Sequence, residues 1–217
     1  MLRTEFDEYD PDVMIPLAEV MLKMASEIFP KEISVNDEKL SVHLVVGDGP
    51  HIADAIELVD KCMGQLYVKH KGKNWKDEKR EELLEVGLLF IYYTSKDGQI
   101  AALVACKMIE GQTLYLYEIQ VHPEAQNHQV GSTLIKCFHS LAKKLDDFSL
   151  DDGKFDEALR WCCTTEYTAL TVFSDNERAL QWYKLLGYDY TANSPKDRTT
   201  RLRVIKPDYY ELEREVN

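Results

Sequence analysis

Leu114-Tyr115-Leu116-Tyr117-Glu118-Ile119-Gln120-Val121-His122-Pro123-Glu124-Ala125-Gln126-Asn127-His128-Gln129-Val130-Gly131 is the stretch on which the fold turns. Leu114 to Val121 mixes β-branched, aromatic and other apolar residues and predicts a strand. His122 to Gln126 must leave the sheet, because Pro123 has no amide hydrogen for a central ladder and biases its predecessor away from helix. From Gln129 onward, Val130, Leu134, Ile135, Phe138 and Leu141 recur at helical spacing, with the small residues Gly131 and Ser132 at the helix start. A strand, a polar turn and a helix start together make an anion site. The first-turn amides lack intrahelical partners, and the helix dipole adds positive potential there.

Upstream of this stretch the pattern is extended. Leu88 to Thr94 and Ile100 to Ile109 predict two strands joined by the turn Ser95-Lys96-Asp97-Gly98, and Glu110-Gly111-Gln112 connects tightly into Leu114. Three consecutive antiparallel strands therefore lead to the anion site. Earlier still, Val13, Leu17, Val20, Met21, Met24, Ala25 and Ile28 form one stripe of a helix from about Pro11 to Phe29, stopped by Pro30. Short β-prone patches lie around Ser41 to Val46. A second helix is predicted from about Ile52 to Tyr67, and a short charged one from Trp75 to Leu84. Like charges at Asp77 and Glu81, and at Glu78 and Glu82, oppose that last helix in isolation, so Lys76, Lys79, Arg80 or partners elsewhere must compensate.

Downstream, the helix after Gly131 is expected to fade in the acidic stretch Asp146 to Glu157, a surface insertion around a short Ala158 to Cys162 segment. Tyr167 to Phe173 predicts a buried strand. Ser174-Asp175-Asn176 offers capping side chains for a helix Glu177 to Leu186, which stops at Gly187. Tyr188 to Tyr190 resumes extended structure, Asn193 to Asp197 is a loop, Thr199 to Ile205 predicts a strand, and Pro207 to Glu211 a last strand or short helix.

At 217 residues, with 45% hydrophobic and 29% charged residues, the chain reads as one soluble globular domain. No apolar run approaches the roughly 20 residues of a spanning helix, and the acidic start Met1 to Asp12 does not read as a signal peptide. No membrane association is expected, and the expected location is the nucleus and cytoplasm. The five cysteines, Cys62, Cys106, Cys137, Cys162 and Cys163, lack zinc-site spacing and are expected to be reduced core thiols; no metal is expected. The net charge of -12 argues against direct nucleic-acid binding and suits a basic partner.

The order strand, strand, strand, anion turn, helix, strand, helix, strand resembles the Gcn5-related N-acetyltransferase (GNAT) fold, which binds acetyl-coenzyme A. Its motif Gln/Arg-x-x-Gly-x-Gly/Ala aligns with Gln126-Asn127-His128-Gln129-Val130-Gly131-Ser132. Gln129 replaces the first glycine, and a left-handed backbone there costs about 1 kcal/mol or more. Asn176-x-x-Ala179-x-x-x-Tyr183, followed by Leu186-Gly187-Tyr188, fits the second signature of that family well. Lys73 to Glu82 with its Trp75, Leu114 to Gln120, and Leu170 to Asn176 together resemble the N-alpha-acetyltransferase D subfamily, which acetylates the N-terminal serine of core histones beginning Ser-Gly-Arg-Gly.

The resemblance implies an α/β protein with a mixed, mostly antiparallel, splayed sheet flanked by helices. Residues 1-50 would form an N-terminal helical arm packed on a catalytic domain at 51-217, one structural domain overall and a monomer. It implies acetyl-coenzyme A as co-substrate and histone N-terminal tails as partners. Backbone groups of Ile119, Gln120 and Val121 would pair with the pantetheine arm, the turn from Gln126 to Ser132 would hold the pyrophosphate, and Asn176 belongs to the same cofactor set. Glu118 is the candidate base, re-aimed by a bulge at Tyr117 to Ile119. Tyr117 shares that catalytic set, and Tyr183 is the candidate acid for the thiolate. Tyr67, Trp75, Glu110, Tyr115, Tyr117, Thr171 and Tyr210 are the candidate peptide contacts. Two other readings stay open at this stage: an enzyme of the same fold acting on lysine or small amines, and an acetyl-coenzyme A-binding module with weak or no turnover.

Overall fold

The computed structural model describes residues 7–110, 112–150, 157–201 and 203–217. Helix α1 (Pro11–Ile28) opens with the Asp10 side chain accepting from the Asp12 amide and with proline in its first turn, where a missing amide hydrogen is harmless. A hairpin follows, β1 (Glu32–Val35) and β2 (Glu38–Val46), turned at Asn36 with φ 53°. Helix α2 (His51–Lys71) runs past the expected end at Tyr67, and α3 (Trp75–Leu83) follows it. Next come β3 (Leu89–Thr94), β4 (Ile100–Ile109) and β5 (Thr113–Val121), then α4 (Val130–Ser149) and α5 (Glu157–Cys162). The chain closes with β6 (Tyr167–Phe173), α6 (Glu177–Leu185), β7 (Asp189–Tyr190), β8 (Arg198–Thr199), β9 (Val204–Ile205) and β10 (Tyr209–Glu215).

Eight strands form one sheet in the order β1-β2-β3-β4-β5-β6-β10-β7. All described neighbours are antiparallel except β5 and β6. The sheet crosses the boundary drawn at residue 50, because β2 pairs with β3 from Ser41 to Val46. The first 50 residues are thus not only a helical arm: the described part of them supplies two strands as well. The strand expected over Thr199 to Ile205 is instead a separate hairpin of β8 and β9. Helix α4 persists through the start of the acidic stretch to Ser149, because Leu145 is still buried on its inner face. The remainder of that expected insertion at 151–156, and Gly111, lie outside the described residues.

Helices cover both faces, so β4 is buried along nearly its whole length rather than alternating with solvent. Ala102, Val104, Cys106 and Met108 face α1 and α4, packing in one core with Met14, Leu134 and Phe138. Leu103 and Ala105 face the other way, into a second core with Ile56, Val59 and Trp75 from α2 and α3. The period of two therefore divides one strand between two cores. Burying each such large side chain contributes roughly 1.5–3 kcal/mol.

Two departures from regular pairing shape the centre of the sheet. Opposite β4, Ala105 pairs with Glu118 and Cys106 with Leu116, so Tyr117 is an extra residue that bends β5. On the other side, β5 and β6 pair only from Thr113↔Tyr167 to Leu116↔Leu170, and beyond that the strands part.

Candidate active site

A cleft of about 1210 Å³ opens where β5 and β6 diverge. Its walls are the far half of β5, the end of β6, the inner faces of α2 and α3, and the starts of α4 and α6. The bulge at Tyr117 turns Glu118 into this space, where it is 5% exposed. Three donors hold its carboxylate. Tyr67 donates its hydroxyl to Oε1 at 2.9 Å, the Lys79 ammonium meets the same oxygen at 2.8 Å, and Gln120 Nε2 donates to Oε2 at 2.8 Å. Burial works against the Lys79 ammonium, but Glu118, Tyr67 and Glu82 together hold its pKa well above the ordinary lysine value. Burial and the nearby Glu118 charge push the Tyr67 phenol up, so it stays a donor. Burial also raises the Glu82 carboxyl, with Lys79 opposing.

Aromatic rings set the walls. Tyr67 stacks on Trp75 with centroids 4.5 Å apart and meets Phe173 edge-on at 5.1 Å. Tyr115 and Tyr117 meet edge-on at 5.1 Å. The Tyr115 hydroxyl lies 2.7 Å from Thr171 Oγ1, bridging the two parting strands, and burial moves its pKa to about 12. Tyr117 donates to Glu85 at 2.8 Å, and Glu85 also receives the wholly buried Lys107 at 2.9 Å. Burial, then the Glu85 bond, raises the Tyr117 phenol. Tyr183 lines the cleft, its pKa raised by burial, and Cys62 lines it too with its thiol pushed to about 11 by burial and the Glu118 charge.

The other end of the cleft is the turn into α4. Pro123–Ala125 forms a single tight helical turn, Asn127 and Gln129 both take left-handed backbone at φ 66° and 61°, and α4 starts at Val130. The helical ladder begins with the Thr133 amide donating to the Gln129 carbonyl at 2.9 Å, so the Val130, Gly131 and Ser132 amides sit in the first turn, directed out of the helix. Successive amides around left-handed residues form an anion-binding concavity, reinforced by the dipole of a 20-residue helix. Gln126 buttresses the turn by donating from Nε2 to the Val121 carbonyl at 3.0 Å. Ile119, Gln120, Val121, Asn127, Gln129 and Asn176 all face the same cleft. Asn176 caps α6, accepting from the Ala179 amide.

Four of the residues singled out from the sequence stand elsewhere. Trp75 is 2% exposed and lies behind Tyr67, where it backs the wall rather than forming it. Glu110 is exposed and outside the cleft lining; its amide donates to Glu8, which does line the cleft. Tyr210 points to the opposite face of β10, 5% exposed and bonded to Asp197, whereas its neighbours Tyr209 and Glu211 face the cleft. His128 is exposed beside the turn, outside the lining. The reason in the last strand is its period of two: a one-residue shift changes the face. Lys79, Glu82 and Glu85 were missed as site residues. The sequence placed Lys79 only among the cations interleaved with the acidic pairs of α3; in the structure it does offset Glu82, and it also pairs with Glu118, which helical spacing does not indicate.

Residues 55–150 match the model of the acetyltransferase (GNAT) family. A GNAT-family acetyltransferase from Staphylococcus aureus superposes with a TM-score of 0.54 at 11% identity, covering 82% of this chain and 100% of that one. The chain has the GNAT fold. A second GNAT-fold structure, PaiA N-acetyltransferase from Thermoplasma acidophilum in complex with coenzyme A, has a TM-score of 0.52 at 15% identity over 81% of this chain and 99% of that one. By sequence, N-alpha-acetyltransferase 40 of Saccharomyces cerevisiae is 29% identical over 176 residues, covering 71% of this chain. The chain spans 58% of that relative's length. Among the described residues, no group of His, Cys, Asp and Glu could hold a metal ion, and no helix is long and apolar enough to cross a membrane.

Proposed function

We propose that this chain is an N-alpha-acetyltransferase that moves acetyl from acetyl-coenzyme A to the N-terminal serine amine of core histone tails beginning Ser-Gly-Arg-Gly. The observation that carries it is the continuity of one cleft, from the first-turn amides of α4 along Val121 to Ile119 to the buried Glu118 carboxylate. Those amides suit the pyrophosphate of the co-substrate, and the freed edge of β5 suits its pantetheine arm. The similarity to N-alpha-acetyltransferase 40 supports a protein N-terminus as acceptor.

Transfer requires a neutral amine, a polarised thioester carbonyl and a protonated leaving sulfur. Glu118 Oε1 already accepts from two donors, while Oε2 accepts from Gln120 alone and keeps a lone pair. Through a water, that lone pair takes the proton the acceptor ammonium must lose. The amine nitrogen then forms the new bond to the acetyl carbon, the carbon–sulfur bond breaks, and the sulfur receives a proton. That proton is the one the acceptor nitrogen sheds as it becomes an amide; Tyr183, on the α6 side of the cleft and kept protonated by burial, is the candidate to donate a hydrogen bond that steadies the leaving sulfur. Tyr67, Tyr115 and Tyr117 flank the acceptor, favouring a terminus followed by glycine. Glu8, Glu82 and Glu211 on the cleft wall favour a basic residue after it. A monomer acting in the nucleus and cytoplasm completes the proposal.

Steady-state kinetics with acetyl-coenzyme A test it. A Ser-Gly-Arg-Gly peptide should turn over with saturation, and its N-terminally blocked counterpart should not. Absence of turnover with the free peptide sinks the proposal.

A further inference from the structure

Helix α3 carries a lysine where its packing calls for an apolar residue. Its buried positions are Trp75, Lys79 and Leu83, spaced four apart on one face. Lysine is almost never fully buried unless paired, and Lys79 is 4% exposed. Its Nζ is 2.8 Å from Glu118 Oε1, bonds Glu82 Oε1, and lies over the Tyr67 ring at 5.1 Å from the centroid. The side chains of Lys79 and Glu118 are 5% and 4% exposed, so water screens the pair little.

We infer that Lys79 is a positioning residue for the proposed reaction: its ammonium keeps the Glu118 carboxylate ionised and occupies Oε1, leaving Oε2 as the atom that receives the acceptor's proton. The inference rests on Glu118 being the base. The groups facing Glu118 are Cys62 and Tyr67 from α2, Lys79 and Glu82 from α3, Tyr117 and Gln120 from its own strand, and Tyr183 from α6. Lys79 is the one cation in that group. Without it, the buried Glu118 carboxylate would keep one phenol and one amide as donors, with the partly exposed Glu82 carboxylate that shares the ammonium close by, and protonation of Glu118 would be favoured. A protonated Glu118 cannot accept another. The ammonium itself gives up no proton in the cycle, since the surrounding acids raise its pKa.

Buried ion pairs are often no more stabilising than apolar residues of similar volume. Methionine, which fits the Trp75–Leu83 stripe, is therefore the informative replacement. Two measurements on the full chain separate this inference from the assignment of Glu118 as base. The first is the pH dependence of kcat/KM for the wild type, Lys79→Met and Lys79→Arg. The acid limb should move up by about one to three pH units in Lys79→Met and return close to the wild-type position in Lys79→Arg. The loss should fall mainly on kcat rather than on peptide KM. The second is carbon-13 NMR of glutamate-labelled protein without substrate, with the Glu118 signal identified by its absence in Glu118→Gln. The titration midpoint of that carboxyl should lie higher in Lys79→Met than in the wild type, by the same shift as the acid limb, and return towards the wild-type value in Lys79→Arg. Lys79→Gln serves in the same two measurements if the methionine variant does not fold. An unmoved Glu118 midpoint in the neutral variants overturns the inference. A raised midpoint with an unmoved rate profile leaves the hold of Lys79 on Glu118 intact and removes Glu118 as the base.

Discussion

Gln129 stands in left-handed backbone at φ 61° and ψ 7°, immediately before α4, with an exposed side chain that makes no capping bond. A left-handed conformation costs a residue with a β-carbon roughly 1–2 kcal/mol. Glycine removes that cost but has more freedom to lose on folding, worth about 0.5–1 kcal/mol. Gln129→Gly should therefore stabilise the protein by about 0.5–1 kcal/mol, while Gln129→Ala, which keeps the strain, should not. Lys136, exposed in the interior of the same helix, supplies the control. There alanine should exceed glycine by about 1 kcal/mol. The ranking of the two residues thus reverses between the cap of α4 and its interior, and urea denaturation of the four variants reads it directly. For a chain of this size each kcal/mol also moves the melting temperature by about 2–4 °C. Equal or greater stability of Gln129→Ala than Gln129→Gly would refute the strain at this turn.

Glu118→Gln should lower kcat by about 10²- to 10⁴-fold with little change in peptide KM, and the acid limb of its pH–rate profile should disappear. Tyr67→Phe retains the ring that stacks on Trp75 but removes one of three donors to Glu118. A hydrogen bond to a charged group is worth about 1.5–3 kcal/mol, so chemical denaturation should show a loss near the lower figure, because Lys79 and Gln120 remain. Burial, with Arg214 nearby, pushes the His139 imidazole down to about 4. The unfolded chain binds that proton at around pH 6.5 and the folded protein does not, so stability is present above that value and is lost as pH falls from about 6.5 to about 4. His139→Gln should flatten this loss, as read from denaturation midpoints at pH 7 and pH 5.

The strands around the opening motif were legible because local chemistry and tertiary demand agree there. Pro123 ends β5, the alternation at Leu114 to Val121 fits a strand with one wet face, and the stripe from Val130 to Leu141 fits the buried face of α4. The bulge was read through the resemblance, although it leaves a mark on the alternation: the residues facing the α1–α4 core pass from Leu114 and Leu116 to Ile119 and Val121 across it. The hairpin at Glu32 to Val46 was harder to see: its edge position leaves many residues partly exposed, so the apolar signal thins. Tyr210 shows how a functional guess fails by one position, since adjacent strand residues serve opposite faces. Lys79 was hidden for a different reason. Its partner lies on another element 39 positions away, and no rule of helical spacing reaches a carboxylate on β5.

The most direct test of the proposed activity is to locate the acetyl group. A peptide beginning Ser-Gly-Arg-Gly and containing an internal lysine is incubated with the protein and acetyl-coenzyme A, then sequenced by tandem mass spectrometry. The proposal predicts a single acetyl on the serine α-amine and none on the lysine, with the product absent in Glu118→Gln. Acetyl on the lysine side chain, or no acetyl at all, would contradict it.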